Sequence, residues 1–129
     1  MKLAIGVFFA IGLGASADTI SFKTAKELAD ANEAALSSQD AMILAREQGT
    51  VVQSALSKCS MESENLASFV IVAEVDSSGK VLATWRDGTS LVALCFQGIV
   101  SKSILTPPVA GPFFTSFQMD FSTSSKPSH

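Results

Sequence analysis

The sequence has very little of what catalysis usually needs. Its single histidine, His129, is the last residue. A Ser-His-Asp triad requires an imidazole that neighbouring groups hold in place, and neither a glycine-rich phosphate loop nor metal-ligand spacing occurs along the chain. The formal net charge is −3 without any basic cluster, which argues against nucleic acid as a partner. We therefore expect no enzyme activity, no cofactor, no metal and no nucleic acid.

Carboxylates are the remaining candidates for chemistry. Two pairs are close enough in sequence to be considered: Glu62 with Glu64 in a polar loop, and Glu74 with Asp76 near the end of a predicted strand. Paired carboxylates can act as acid and base. We interpret both pairs as solvated charge.

Cysteine is also scarce, because only Cys59 and Cys95 are present. They lie far apart in sequence, whereas a redox pair usually has C-x-x-C spacing. In an oxidising compartment two such residues can form one disulfide, and we expect a structural bridge. An extracytoplasmic thiol-redox protein that uses the same pair stays open as an alternative.

The chain has no apolar run of membrane-spanning length. The stretch from Leu3 to Gly14 is about 12 residues long, and a spanning helix needs roughly 20. It follows Lys2 and precedes Ala15-Ser16-Ala17, which together form a secretory signature. We predict a signal peptide at residues 1–17, cleavage between Ala17 and Asp18, and no membrane span after cleavage. The mature protein is then periplasmic or secreted.

Helical periodicity follows the signal peptide and predicts a helical arm over residues 18–49. Thr24 and Glu27 have capping-box spacing, and Gly49 can end a second helical piece. A third, short helix is predicted over 51–58. The apolar stripe of the first helix consists mostly of alanine, which indicates a loosely docked arm.

From Phe69 the hydrophobic pattern changes to a period of two. Two such runs flank Asp76-Ser77-Ser78-Gly79 and predict a β-hairpin. On the second run, Val81, Ala83 and Trp85 are expected to share one face.

A helix capped by Ser90 is expected next, with Thr106-Pro107-Pro108 as its stop. The last strand is predicted over 113–121. Residues 50–122 should thus form a two-layer α+β domain with a three-stranded antiparallel sheet packed on helices, and residues 123–129 a disordered tail.

This arrangement resembles the TonB C-terminal domain superfamily, closest to its cysteine-containing AgmX/PglI-type branch. The similar residues are the D-x-x-G-x-V run of Asp76 to Val81, the short helix that ends at Cys59, the helix that carries Cys95, and the Pro-Pro turn before Phe113. The resemblance implies the family's fold and its engagement of partner proteins at the outer membrane. It does not imply energy transduction, for which the sequence shows neither a membrane anchor nor a long Pro-rich spacer.

Candidate binding residues lie on the predicted sheet. Trp85 stands beside Arg86, and both residue types are favoured at interface hot spots. Because Trp85 is expected on one strand face with Val81 and Ala83, a core position for its ring is the alternative. Phe113 and Phe114 begin a strand whose edge is able to accept an extended peptide by β-augmentation. We expect a small exported protein-interaction module with an envelope or extracellular protein as its partner. An enzyme inhibitor, or an enzyme whose site forms only in three dimensions, is the other alternative.

Overall fold

The computed structural model describes residues 20–60, 66–106 and 111–121. Several predictions fall outside these ranges. They concern the signal peptide with its Ala17–Asp18 cleavage site, the pair Glu62 and Glu64, the Pro107-Pro108 stop and the disordered tail. The elements are α1 (Phe22–Ala34), α2 (Ser38–Lys58), β1 (Phe69–Val75), β2 (Val81–Asp87), α3 (Leu91–Ser101) and β3 (Phe113–Met119). The strands form one antiparallel sheet in the order β2-β1-β3. The predicted α+β class and its three-stranded sheet are confirmed.

The turn between β1 and β2 is built around one carboxylate. Asp76 Oδ1 accepts hydrogen bonds from the hydroxyl of Ser78 at 2.7 Å and from the N–H groups of Ser78 and Lys80 at 2.8 and 3.0 Å. These bonds hold the pKa of Asp76 below its ordinary value of 3.8, and the bond from the Ser78 hydroxyl contributes most. Gly79 has φ +94, and a Cβ there would collide with the Leu105 carbonyl group. Glycine is therefore required at this position.

The central strand β1 is buried on both faces. Ile71, Ala73 and Val75 pack into the main core with α2, α3 and Phe117, while Val72 packs on the opposite face against α1. Helices consequently cover both faces of the sheet, and α1 forms a third layer that the predicted two-layer arrangement did not include.

The helix α1 packs closely on the sheet. Its N-cap is Ser21, whose hydroxyl accepts the N–H of Thr24 at 3.1 Å, so the helix begins earlier than the predicted capping box. Ala25 and Ala29 are fully buried against Val72. Because alanine is small, the helix backbone can approach the strands, and α1 is a packed layer rather than a loosely docked arm.

The helix α2 runs without a break through Gly49. The predicted helix end at Gly49 is therefore wrong, and the predicted boundary between arm and domain falls inside one helix. A glycine in a helix interior costs about 1 kcal/mol. Burial of Leu44 before it and of Val51 after it each contributes roughly 1.5–3 kcal/mol, so packing outweighs the local preference.

One disulfide joins α2 to α3. Cys59, the C-cap of α2, is bonded to Cys95 of α3, with the two Cα atoms 5.8 Å apart. The predicted pairing is present, and it fixes the end of α2 beside the helix that follows the hairpin. None of the helices in the described part of the chain is long and apolar enough to cross a membrane.

Candidate interaction surface

A β-bulge in β2 changes which residues share a face. Val81 and Ala83 pair with consecutive residues of β1, so Leu82 is an extra residue in the ladder. An inserted residue reverses the alternation beyond it. Val81 therefore packs into the main core, whereas Trp85 lies opposite Val72 on the face that α1 covers. The prediction that Val81, Ala83 and Trp85 share one face is wrong for this reason.

Trp85 is half-buried beneath α1. Its indole N–H donates to the carbonyl oxygen of Ile20 at 3.0 Å, and its ring centroid lies 5.8 Å from that of Phe114. The structure thus brings together two of the predicted binding residues. In the described chain their shared contacts hold α1 against the sheet.

Arg86 lies on the opposite face of β2 from Trp85, so the two neighbours in sequence do not form one surface. The Arg86 guanidinium donates from Nε to the Gly88 carbonyl oxygen at 2.7 Å and from Nη1 to the Gln97 side-chain oxygen. Gln97 Nε2 donates in turn to the Thr84 hydroxyl at 3.0 Å. These bonds turn the charge of Arg86 towards α3 and tie β2 to that helix.

The outer edge of β3 is covered where the sequence predicts an acceptor edge. The N–H of Phe114 donates to Asn32 Oδ1 at 2.7 Å, and the N–H of Ser116 donates to Glu33 Oε2 at 3.0 Å. Gln48 Nε2 donates to the Ser116 carbonyl oxygen at 2.9 Å. Side chains of α1 and α2 therefore take the place of a neighbouring strand over this stretch.

Phe113 does not line an open edge either. It is almost fully buried, and its backbone pairs with Val75 of β1. An extended partner at Phe113 and Phe114 would first have to displace the side chains that cover this edge.

In the described part of the chain, the outer edge of β2 is open at Thr84 and Arg86, whereas Ile104 bridges Lys80 just before the strand. The N–H of Asp76 donates to the Lys80 carbonyl oxygen, on the side of β1 that faces β2. Because backbone polar groups alternate in direction along a strand, Val72 and every other residue at a two-residue interval before Asp76 also direct theirs towards β2. Trp85 is opposite Val72 and therefore directs its own N–H and C=O groups towards β1. Its neighbours Thr84 and Arg86 consequently direct theirs outward, away from the sheet. Within the described ranges, no group bonds to these outward N–H and C=O groups.

Exposed apolar side chains adjoin this edge. Leu82 of β2 is 56% exposed, Leu94 of α3 is 44% exposed, and Ile104, which forms an isolated bridge with Lys80, is 67% exposed. The helix α3 carries no charged residue at all. We call the outer edge of β2 at Thr84 and Arg86, together with Leu82, Leu94 and Ile104, the β2 surface.

Two depressions on the described residues are smaller than typical ligand pockets. They are open and have volumes of about 170 and 140 Å³, below the roughly 300–1,000 Å³ of typical ligand pockets. No group of three or more His, Cys, Asp or Glu side chains in these ranges is placed to hold a metal ion. Glu74 is buried and not solvated as expected, while Asp76 is bonded into the β1–β2 turn.

Sequence reasoning missed the residues that distinguish the two edges. Asn32, Glu33 and Gln48 carry no local signal of their contacts with a strand more than 60 residues away. The uncharged α3 was a visible signal, because a surface helix normally has a charged face.

Comparison of the chain with protein-family models, curated proteins and solved structures finds no match. The resemblance to the TonB C-terminal domain superfamily stays a prediction.

Proposed function

We propose that this protein is a small, exported, non-enzymatic protein-interaction module that binds an extended segment of an envelope or extracellular protein along the β2 surface. The observation that carries the proposal is the contrast between the two sheet edges. Among the described residues, no group bonds to the outward backbone N–H and C=O groups of Thr84 and Arg86 on β2, while the outward N–H groups of Phe114 and Ser116 on β3 are bonded.

An open edge next to apolar side chains is suited to β-augmentation. Main-chain hydrogen bonds supply affinity, and pockets for alternate side chains supply specificity. At the β2 surface an incoming strand would bond to Thr84 and Arg86. Its side chains on the α3 face would contact Leu94 and Ile104, where no charged group of α3 opposes an apolar ligand.

Two further observations support export. The N-terminal sequence has the order of a signal peptide, and the bond between Cys59 and Cys95 is of a kind that persists in oxidising compartments. The order of hairpin, cysteine-bearing helix and third strand is the basis on which we also propose the TonB C-terminal-like relationship.

The experiment is a selection of random nine-residue peptides on the oxidised native protein, after which the affinity of each selected peptide is measured for the native protein and for the Thr84→Pro variant. Proline is tolerated on an edge strand when the N–H that it removes faces solvent, so the β1–β2 ladder should persist. Selected peptides should bind Thr84→Pro at least about tenfold more weakly, since one hydrogen bond is lost and the ring blocks close approach.

Thr84→Val is the matched control. It removes the hydroxyl that Gln97 contacts, as proline does, but it keeps the outward N–H. Peptide affinity for Thr84→Val should equal that of the native protein. Peptides that bind Thr84→Pro as tightly as the native protein would refute β-augmentation at this edge.

A further inference from the structure

We infer that the β2 surface binds the free carboxyl end of an extended partner chain, which lies antiparallel to β2 and places its terminal carboxylate beside Lys80 and Lys102. The inference rests on the proposed function, because it names the part of the partner that the same surface takes. It is carried by the bridge at Ile104, which ends the open part of the edge, and by the charges next to that bridge.

The open part of the β2 edge ends at the chain segment that follows α3. Ile104 forms an antiparallel bridge with Lys80, and the N–H of Leu105 donates to the Gly79 carbonyl oxygen at 2.9 Å. This segment therefore takes the place of a neighbouring strand just before β2 begins. An incoming strand can pair along the open stretch of β2, but it has to end or turn away from the sheet once it reaches Ile104. A chain that ends there fits without a turn.

Two lysines lie at this closed end of the edge. Lys80 is the residue that Ile104 bridges, and Lys102, the C-cap of α3, is two positions before Ile104. Both lysines are exposed, and neither forms an ion pair within the described part of the chain. Because β2 runs away from this end, an antiparallel partner reaches it with its carboxyl terminus and a parallel partner with its amino terminus. The two ammonium groups attract a terminal carboxylate and repel a terminal ammonium group.

Two acidic side chains near the closed end are bonded within the fold. Asp76 accepts three hydrogen bonds in the β1–β2 turn, and Glu47 accepts the N–H and the hydroxyl of Thr106. The carbonyl groups at the end of α3 would oppose an anion, but the N–H and the hydroxyl of Ser103 donate to two of them. The two exposed lysines are thus the charged groups that remain here, among the described residues, to receive a carboxylate.

The side chains along β2 indicate which residues should precede the terminal carboxylate. Leu82 lies near the closed end and is 56% exposed. Residues that are opposite each other in an antiparallel pair contact each other on one face, so an apolar residue at the end of the partner would cover Leu82. At the other end of β2, Asp87 is exposed, and a basic residue earlier in the partner would lie beside it. We therefore expect a carboxyl-terminal segment that ends in apolar residues and carries a basic residue before them.

The experiment repeats the peptide selection with random nine-residue peptides that are attached through their amino ends, so that each has a free terminal carboxylate. Every selected peptide is then synthesised in three forms: with the carboxylate, as the carboxamide, and with several glycines added after its last residue. The carboxylate form should bind the oxidised native protein at least about tenfold more tightly than the other two forms, since it alone places a charge beside Lys80 and Lys102. Added salt should reduce this difference, because both lysines are exposed.

Substitution of both lysines tests where the carboxylate lies. In Lys80→Gln with Lys102→Gln, the carboxylate and carboxamide forms should bind with equal affinity. Lys58→Gln is the matched control, because Lys58 is exposed at the end of α2, which the disulfide holds beside Cys95, about two helical turns before Lys102. The preference for the carboxylate should persist in this control. Urea unfolding of each variant shows that it is folded.

Equal affinity of the native protein for the carboxylate and carboxamide forms would overturn the inference. If these peptides still bind in a manner sensitive to Thr84→Pro, the proposed function stands and the edge takes an internal segment instead. A preference for the carboxylate that persists in Lys80→Gln with Lys102→Gln places the carboxylate elsewhere and also overturns the inference. If neither selection yields a peptide that binds, both the inference and the proposed function are refuted.

Discussion

Replacement of both cysteines, Cys59→Ala with Cys95→Ala, measures what the disulfide contributes to stability. The two residues are 36 positions apart. In the chain-entropy model, a loop of this length lowers the entropy of the unfolded chain enough to stabilise the fold by about 4 kcal/mol. Alanine is preferred to serine because Cys59 is buried, and an unpaired hydroxyl there would add a separate penalty.

The assay is urea unfolding followed by tryptophan emission. Trp85 is the only tryptophan and packs against Phe114 beneath α1, so its emission reports the packing of α1 on the sheet. The double variant should lose about 4 kcal/mol, corresponding to a fall in Tm of roughly 15–30 °C for a domain of this size. A reductant should lower the stability of the native protein to the same level and leave the double variant unchanged.

A loss below about 1 kcal/mol would refute the view that the bridge constrains the unfolded chain. The native protein, in which the bridge is intact, decides between a structural and a redox role for Cys59 and Cys95. A structural bridge should resist a glutathione buffer, whereas ready and reversible reduction would favour the thiol-redox alternative.

Three further predictions address the core, the covered edge and the turn. Phe117→Ala should cost roughly 3–5 kcal/mol in urea unfolding, because the ring is only 3% exposed; a negligible loss would contradict its place in the core. Glu33→Ala should speed amide exchange at Ser116 at least about tenfold, since it removes the acceptor of that N–H. Glu27→Ala, at an exposed position of the same helix, should leave this rate unchanged, and equal rates in both variants would refute the cover. Because folding lowers the pKa of Asp76, its contribution to stability is present above about pH 4 and is lost as the pH falls through the folded pKa. The stability difference between the native protein and Asp76→Asn should therefore change on acidification from about pH 5 to pH 2, and a constant difference would contradict the shift.

Local chemistry made the hairpin and the third helix predictable. The turn needs a short polar side chain and a residue with positive φ, and Asp76 and Gly79 supply both within four positions. Ser90 caps α3 as expected by accepting the N–H of Ala93. Cys59 and Cys95 were predictable as a pair because the chain offers no other cysteine. The turn and the helix cap depend on residues that are neighbours in sequence, and the cysteine pairing follows because no third cysteine is present.

Features that depend on distant contacts were not predictable in this way. Nothing in the alternation of β2 indicates that Leu82 is bulged, and this single insertion moved Trp85 to the other face of the sheet. Gly49 looks like a helix end unless the burial of Leu44 and Val51 on either side is known. The small side-chain area of the alanine-rich stripe of α1 predicts a loosely docked helix. In the structure, the same small side chains let the helix approach Val72 closely, and this close approach decides the packing.

The two edges of the sheet differ for a reason that lies in α1. If α1 only covered the apolar face around Val72, its buried alanines would suffice for that contact. Its last turn, however, carries Asn32 and Glu33, which bond to backbone N–H groups of β3. Unpaired edge groups are a template for association with other chains, so the helix that completes the core also covers part of one template, at Phe114 and Ser116. The edge of β2 at Thr84 lacks any such cover among the described residues, which is the reason that we place the proposed strand pairing on that side of the sheet.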